Sequence, residues 1–219
     1  MYKTKEEAIN KIKEGIDFTG EEFNPFRSDK DVVLEAIKQY PNYIRYASDE
    51  LKEDKELVLN AVKGKGKAIL FVHRKFLDDK DVILEAVKND GTALQFASWN
   101  LKNNKGIVLE AVKQNGRALQ YASDELKKDR EIALIAIQNY ASAFGYVNIN
   151  FGNDKELVLE AIKTDPIQLY AASDEIQALC DEKDPVETLE KAIQAEKLSS
   201  SLEKSLARAN IVKKPSLKL

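Results

Sequence analysis

A ten-residue segment recurs along this chain with an unbroken period of 25, and no insertion or deletion separates its copies. The first full copy, DKDVVLEAIK, occupies residues 29–38, and a degenerate copy fits the same register from Thr4. The further full copies begin at Asp54, Asp79, Asn104, Asp129 and Asp154. A period of this length is typical of arrays in which each unit buries its apolar face against the next.

Each copy has the pattern of an α-helix. An Asp or Asn opens it, and the side-chain oxygen of such a residue can cap free backbone N–H groups at a helix start. Apolar residues follow at spacings that cover one broad helix face. One example of this stripe is Val82, Ile83, Leu84, Ala86 and Val87. We therefore predict one α-helix in each unit, with the stripe facing the core.

The end of this helix is marked by one fixed position. Glycine or proline occupies it, at Pro41, Gly66, Gly91, Gly116 and Pro166. Glycine can adopt the left-handed cap conformation, and proline cannot continue a helix. A shorter second helix is predicted next, and a Ser-Asp-Glu-Leu connector leads to the following unit. Strand signals are absent. The sequence predicts an all-α fold, a right-handed α-solenoid of about seven 25-residue helix-pair repeats with a helical C-terminal cap.

The predicted organisation has four parts. Residues 1–28 form a degenerate N-terminal capping repeat, 29–178 the helical repeat array, 179–212 the C-terminal capping helices, and 213–219 a flexible basic tail. The cap is expected to start at Asp184-Pro185, a favourable helix N-terminus, and to be interrupted by the three serines 199–201. The tail is either a solvated terminus or a secretion, membrane-surface or docking signal.

The composition excludes several classes of protein. The net charge of −3 disfavours nucleic acid as a partner, because binding to phosphates needs a basic surface. The longest apolar runs have five residues, so no integral membrane segment is expected. The Lys- and Glu-rich first fifteen residues do not have the pattern of a secretory signal peptide.

Catalytic constellations are scarce. His73 is the single histidine and Cys180 the single cysteine, which excludes two-histidine metal sites and most triads. We expect a surface or capping role for His73, and for Cys180 either buried packing or a reactive thiol. Zinc, calcium and nucleotide motifs are absent. We predict that the chain is not an enzyme and needs no cofactor and no metal.

Candidate binding residues lie where a repeated position departs from its default. The residue after the connector serine is Asp49, Arg74, Trp99, Asp124, Ile149 and Asp174 in successive units. Trp99 and Ile149 are large and apolar where Asp is the default, and Arg74 reverses the charge. An exposed aromatic and an Arg among polar neighbours suit a protein-binding hot spot; alternatively, Trp99 folds back on its own unit. The predicted partner-binding residues are Arg74, Trp99, Asp124, Ile149, Ile135 and Tyr140.

The unit NKGIVLEAVKQNGRALQYASDELKKD, residues 104–129, resembles the bacterial family called domain of unknown function 4116. The resemblance covers roughly 29–175. It implies repeats of the kind found in bacterial proteins, including secreted effectors of intracellular pathogens, without established catalytic activity or known functional residues. We expect a soluble, non-catalytic protein-binding module, in the bacterial cytoplasm or secreted without a classical signal peptide, where an effector would engage a host protein. The alternative is a structural spacer without its own ligand.

Overall fold

The computed structural model of the protein describes residues 2–180 and 183–212, and within these ranges the regular structure is entirely helical, without strands. The all-α prediction is therefore confirmed. The chain divides into two compact units, Met1–Asn148 and Ile149–Leu219. The tail predicted at 213–219 lies outside the described residues.

Ten α-helices are present in the described ranges. Those of the first unit are α1 (Lys5–Lys13), α2 (Lys30–Gln39), α3 (Lys55–Gly64), α4 (Lys80–Asn89), α5 (Trp99–Lys102), α6 (Lys105–Gln114) and α7 (Arg130–Asn139). Those of the second unit are α8 (Lys155–Thr164), α9 (Asp174–Leu179) and α10 (Pro185–Val212). All except the short α5 and α9 and the terminal α10 begin 25 residues apart, as the period predicts.

The remainder of each repeat is built from short 3₁₀ helices. The 3₁₀ helices of the first unit are Glu21–Phe26, Pro41–Tyr46, Leu51–Glu53, Gly66–Phe71, Arg74–Asp78, Gly91–Phe96, Gly116–Tyr121, Leu126–Lys128 and Ala141–Tyr146. Those of the second unit are Ile149–Asn153 and Pro166–Ala171. A repeat is thus one α-helix, one six-residue 3₁₀ helix and one short connector helix. The shorter second helix that the sequence predicts is present, as a six-residue 3₁₀ helix rather than an α-helix.

The predicted caps are present. The Asp79 carboxylate accepts hydrogen bonds from the backbone N–H groups of Asp81 (3.0 Å) and Val82 (3.2 Å) at the start of α4. The Asp residues that precede α2, α3, α7 and α8 do the same, and the Asn104 amide oxygen accepts from the Ile107 N–H (3.2 Å) at the start of α6. Each helix start is therefore satisfied by the residue that opens its repeat.

The core of the first unit runs along the predicted stripe. In α4 the side chains of Val82, Ile83, Ala86 and Val87 are fully buried, whereas Leu84 is only partly buried and packs against them. The leucine position behaves in this way in every repeat. Consecutive α-helices pack against one another, and so do consecutive six-residue 3₁₀ helices, so each repeat covers the apolar side of its neighbour.

The glycine that follows α3, α4 and α6 has a different role from the one predicted. The residue before it is extended, as at Asp90 with φ −142°, and Gly15 is the only described residue with a positive φ. Instead, a Cβ added at Gly91 would lie 2.3 Å from the carbonyl oxygen of Ala111 in the next repeat. Glycine is required here because two repeats approach closely, and the predicted left-handed cap is wrong.

Side-chain amides bridge neighbouring repeats at the same place. The Asn139 amide oxygen accepts a hydrogen bond from the Gly116 N–H (2.8 Å), and its nitrogen donates to the Lys113 carbonyl (3.0 Å). Asn89 and Gln114 make equivalent bonds to the repeats before them. At position 64, which is equivalent to Asn89, Gln114 and Asn139, a glycine replaces the residue with a side-chain amide. The residue that it faces, Pro41, has no N–H to satisfy, and its ring would be 2.3 Å from a Cβ at Gly64.

In the second unit, α10 packs beside α8. Leu189 and Ile193 of α10 are buried, and Lys197 forms an ion pair with Glu156 of α8 (2.8 Å). The helix continues without a break through residues 199–201. The predicted interruption is wrong, because serine has only a modest helix penalty and its neighbours are good helix formers.

Candidate functional site

The connector helices of the first unit share one construction. The Ser98 hydroxyl oxygen accepts a hydrogen bond from the Leu101 N–H (3.3 Å), and the Ser123 hydroxyl oxygen accepts one from the Leu126 N–H (3.2 Å). His73 takes the serine position and accepts from the Lys75 N–H (3.2 Å) through Nδ1, so the capping role expected for it is present. The residue after this cap faces solvent in each of these connectors, and in two of them, at Arg74 and Trp99, it also starts the connector helix.

Backbone hydrogen bonds hold successive connectors in the same register. The Ser98 N–H donates to the Leu77 carbonyl (2.7 Å), and the Ser123 N–H donates to the Lys102 carbonyl (3.0 Å). The same bond recurs one repeat earlier, from His73 to Lys52 (3.2 Å). The residues after the caps therefore form one exposed row in the first unit, which comprises Asp49, Arg74, Trp99 and Asp124.

Trp99 is the exceptional member of this row. It begins α5, its side chain is 71% exposed, and the nearby Leu101 carries the apolar contact with the core. The alternative in which Trp99 folds back on its own repeat does not describe this structure. An indole of this size in water, fixed on a capped helix turn, is suited to insertion into a partner.

A ladder of ion pairs runs along the N-termini of the repeat helices. Lys55 pairs with Asp79 (2.8 Å) and Asp81 (2.9 Å) of the next repeat. Lys30 pairs with the equivalent acids Asp54 and Glu56, and Lys105 with Asp129 and Glu131. The hydrogen bonds that the Lys105 ammonium donates to the carboxylates of Asp129 and Glu131 raise the pKa of Lys105 to about 12. Each ladder step joins one lysine to two carboxylates across a repeat boundary.

The ladder is interrupted at Lys80. The next repeat has Asn104 and Gly106 where the other repeats have the two acids. Within the described residues the exposed Lys80 side chain has no ion pair or hydrogen bond. Its charge is therefore available to a carboxylate from outside the chain.

Trp99 removes a second ion pair in the same repeat. In the connectors of two other repeats, Lys52 pairs with Asp49 (3.1 Å) and Lys127 with Asp124 (3.5 Å), each three residues earlier. The residue three positions before Lys102 is Trp99, and Lys102 has no carboxylate partner in the part of the chain that the structure describes. We call Lys80, Trp99 and Lys102 the Trp99 patch: one exposed indole and two unpaired cations within a single repeat.

The other predicted site residues lie elsewhere. Arg74 and Asp124 flank Trp99 in the exposed row. Ile135 and Tyr140 are partly buried against the core at α7, where the Arg117 guanidinium lies 5.6 Å from the Tyr140 ring centre. Ile149 belongs to the second unit and is 90% exposed there. The first unit thus places Arg74, Trp99 and Asp124 at the same exposed position of successive repeats, and it places Ile135 and Tyr140 elsewhere.

Neither Lys80 nor Lys102 was among the residues predicted from the sequence. The signal for both lysines is the loss of their acidic partners. Asn104 and Gly106 replace the acids that would pair with Lys80, and Trp99 replaces the acid that would pair with Lys102. These ion pairs join residues at different positions of the repeat, so the variation at any single position does not show them.

Other chemistry is sparse in the described residues. Cys180 is partly buried in a groove beside Leu169, Tyr170 and Pro185, and burial raises the pKa of its thiol, which disfavours the nucleophilic thiolate. No three His, Cys, Asp or Glu side chains converge as metal ligands within the described ranges. None of the helices described is both long enough and apolar enough to cross a bilayer.

The ion-pair ladder should contribute to the free energy of unfolding at neutral pH and lose that contribution in acid. Hydrogen bonding from Lys105 holds the pKa of Asp129 below its ordinary value. A lowered pKa in the folded state contributes stability above pH about 4, which is lost as the pH falls through the folded-state value. We expect Asp129→Asn, which keeps an N-cap, to lower the free energy of unfolding by about 0.5 kcal/mol at pH 7 and by nothing measurable at pH 2, as followed by urea unfolding.

The matched control for this prediction is Asp49→Asn. Its carboxylate is fully exposed and pairs only within its own connector, so the change should have no measurable effect at either pH. A loss for Asp129→Asn that is the same at both pH values would contradict a charge effect.

Comparison with known proteins identifies one family. The family described as domain of unknown function (DUF4116) matches residues 7–52, 29–77, 54–102, 104–151 and 129–177. Each match spans about two repeats, and most successive matches begin 25 residues or a multiple of 25 apart. No curated protein and no solved structure matches the chain.

Proposed function

Since the chain belongs to the family described as domain of unknown function (DUF4116), we propose that it is a non-catalytic protein-binding module. The observation that carries this proposal is the Trp99 patch, in which one repeat exposes an indole and leaves two lysines without the acids that their equivalents have. We propose further that the repeats form a right-handed α-solenoid of seven units. Within the first unit, the contacts between equivalent α-helices of successive repeats support this geometry.

The chemistry of the patch defines the class of partner. The indole offers a large apolar surface, and Lys80 and Lys102 would each attract a carboxylate. The ligand that suits this arrangement is an acidic peptide segment with an aromatic or aliphatic residue among its acids. Arg74, one repeat earlier in the exposed row, adds a third positive charge on the same side. The net charge of the chain is −3, so this attraction is local.

Restoring the default residues gives a sharper test than truncation. Trp99→Asp would provide Lys102 with the acid that Lys127 has, and Asn104→Asp with Gly106→Glu would rebuild the ladder step at Lys80. The triple variant keeps the fold, because it copies pairs that neighbouring repeats already form. It removes the indole and neutralises both cations, so we expect it to lose binding without losing stability.

The experiment is a selection of random displayed 16-residue peptides on the wild-type chain, with counter-selection on the triple variant. We expect enrichment of peptides with acids around an apolar residue. Their affinity should fall about tenfold or more for Trp99→Ala, and it should weaken with added salt. Fluorescence anisotropy measures both effects, and Asp49→Ala in the same row is the control that should bind normally.

Two results would overturn the proposal. Peptides that bind the wild-type chain and the triple variant equally would remove the Trp99 patch from the binding surface. A selection that enriches no sequence over the variant would favour the structural spacer, which has no ligand of its own. A secreted role in which the module engages a host protein stays a prediction of the family resemblance.

A further inference from the structure

The second half of α10 has an apolar face without a partner in the described residues. Leu198, Leu202 and Leu206 are 60%, 64% and 63% exposed. They follow one another at intervals of four residues, so they lie along one side of the helix. The buried side chains that attach α10 to the second unit, Leu189 and Ile193, lie on the roughly opposite side.

The leucine face extends beyond the part of α10 that is fixed by packing. The ion pairs of α10 with α8 end at Glu196, which contacts Lys155, and Lys197. All residues from 194 to 207 are exposed. A projecting helix of this length is marginal in water without tertiary contacts. A partner that covered the three leucines would supply the missing stabilisation.

The residues on and beside the leucine face are symmetric about Leu202, which favours a second copy of α10 as the partner. A twofold rotation about Leu202 brings Leu198 onto Leu206 and Ser199 onto Ser205. Two copies of α10 in antiparallel orientation would therefore place leucine against leucine along the whole seam. The serines beside the seam are small and uncharged, which allows close helix approach. A partner of different sequence would require no such symmetry in this chain.

We propose that the exposed leucine face of α10 is a self-association surface, through which two copies of this chain form an antiparallel helix pair centred on Leu202. The small area of this contact argues for a weak association. Two such segments would bury on the order of 700 Å² in total, less than the roughly 1,200 Å² of a small stable interface. We therefore expect a weak dimer, with a dissociation constant on the order of 10–100 μM.

Sedimentation velocity over a concentration series of the full chain tests the association. The wild type should shift from monomer to dimer as the concentration rises. Leu202→Glu places two carboxylates face to face on the twofold axis, and it should stay monomeric at every concentration. Ser200→Glu adds the same charge on the opposite side of α10, and it should dimerise as the wild type does. A wild type that stays monomeric, or a Leu202→Glu variant that dimerises normally, would overturn the proposal.

Cysteine cross-linking tests the orientation. In a Cys180→Ser background, Leu198→Cys and Leu206→Cys are prepared with tags of different mass and mixed under mild oxidation. The antiparallel pair predicts disulfides between the two variants and few within either one. Disulfides that form mainly within each variant would indicate a parallel pair and would overturn the proposed arrangement. Circular dichroism of each variant confirms that the fold is retained.

Discussion

Gly91→Ala should lower the free energy of unfolding by about 2–3 kcal/mol, although it adds a single methyl group. The new Cβ would lie 2.3 Å from the Ala111 carbonyl oxygen and 3.1 Å from the Asn115 backbone nitrogen. Both belong to the next repeat, and backbone atoms cannot move aside as a side chain can. The only relief is to separate the two repeats, which also weakens the hydrogen bond from the Gly91 N–H to Gln114 (2.5 Å).

Gly106→Ala is the matched control for this prediction. Gly106 lies in α6 with only the Asn104 side-chain oxygen near its Cβ position, at 3.4 Å. The same methyl group should stabilise the protein there by about 0.5–1 kcal/mol, because alanine loses less conformational entropy in a helix. Urea unfolding followed by circular dichroism measures both variants. Equal effects at the two positions would show that close repeat packing is not what requires glycine at position 91.

The repeat architecture could be predicted from the sequence because it depends on local patterns. An Asp N-cap, the apolar stripe and a fixed stop position recur every 25 residues, and each specifies backbone geometry within a few residues. The reason for the stop could not be predicted. Whether Gly91 serves a left-handed turn or a close approach is decided by the Ala111 carbonyl, twenty residues away, and the pattern of one repeat contains no information on that distance.

The candidate site, like the repeat architecture, could be predicted from the sequence only in part. Trp99 could be identified because it departs from the Asp at its own position. Lys80 is the standard residue at its position, and only the loss of its partners makes it available. Ile135 departs from its default as Trp99 does, yet it is partly buried against the core. A departure from the repeat indicates a site only when the position faces solvent, and exposure follows from the stacking of the repeats.

The apolar stripe of each α-helix contains fully buried and partly buried positions. A second pair of substitutions should show that the two kinds of position contribute differently to the free energy of unfolding. Ile107 of α6 is 1% exposed, whereas Leu109 is partly buried at the edge of the same stripe. Ile107→Ala leaves a cavity that the stacked repeats cannot close, so we expect a loss of about 3–4 kcal/mol in the free energy of unfolding. Leu109→Ala removes the same number of carbon atoms but less buried surface, and it should cost about 1–2 kcal/mol.

This order is opposite to what the sequence pattern favours, since leucine is invariant at its position in the full copies and the residue at position 107 varies between valine, leucine and isoleucine. Burial is set by the neighbouring repeats that enclose Ile107, so the isoleucine should matter more. Chemical unfolding of both variants at one temperature measures the difference, with Asn100→Ala on the exposed connector as a control near zero. A larger loss for Leu109→Ala than for Ile107→Ala would contradict the packing of α6 between α4 and α7.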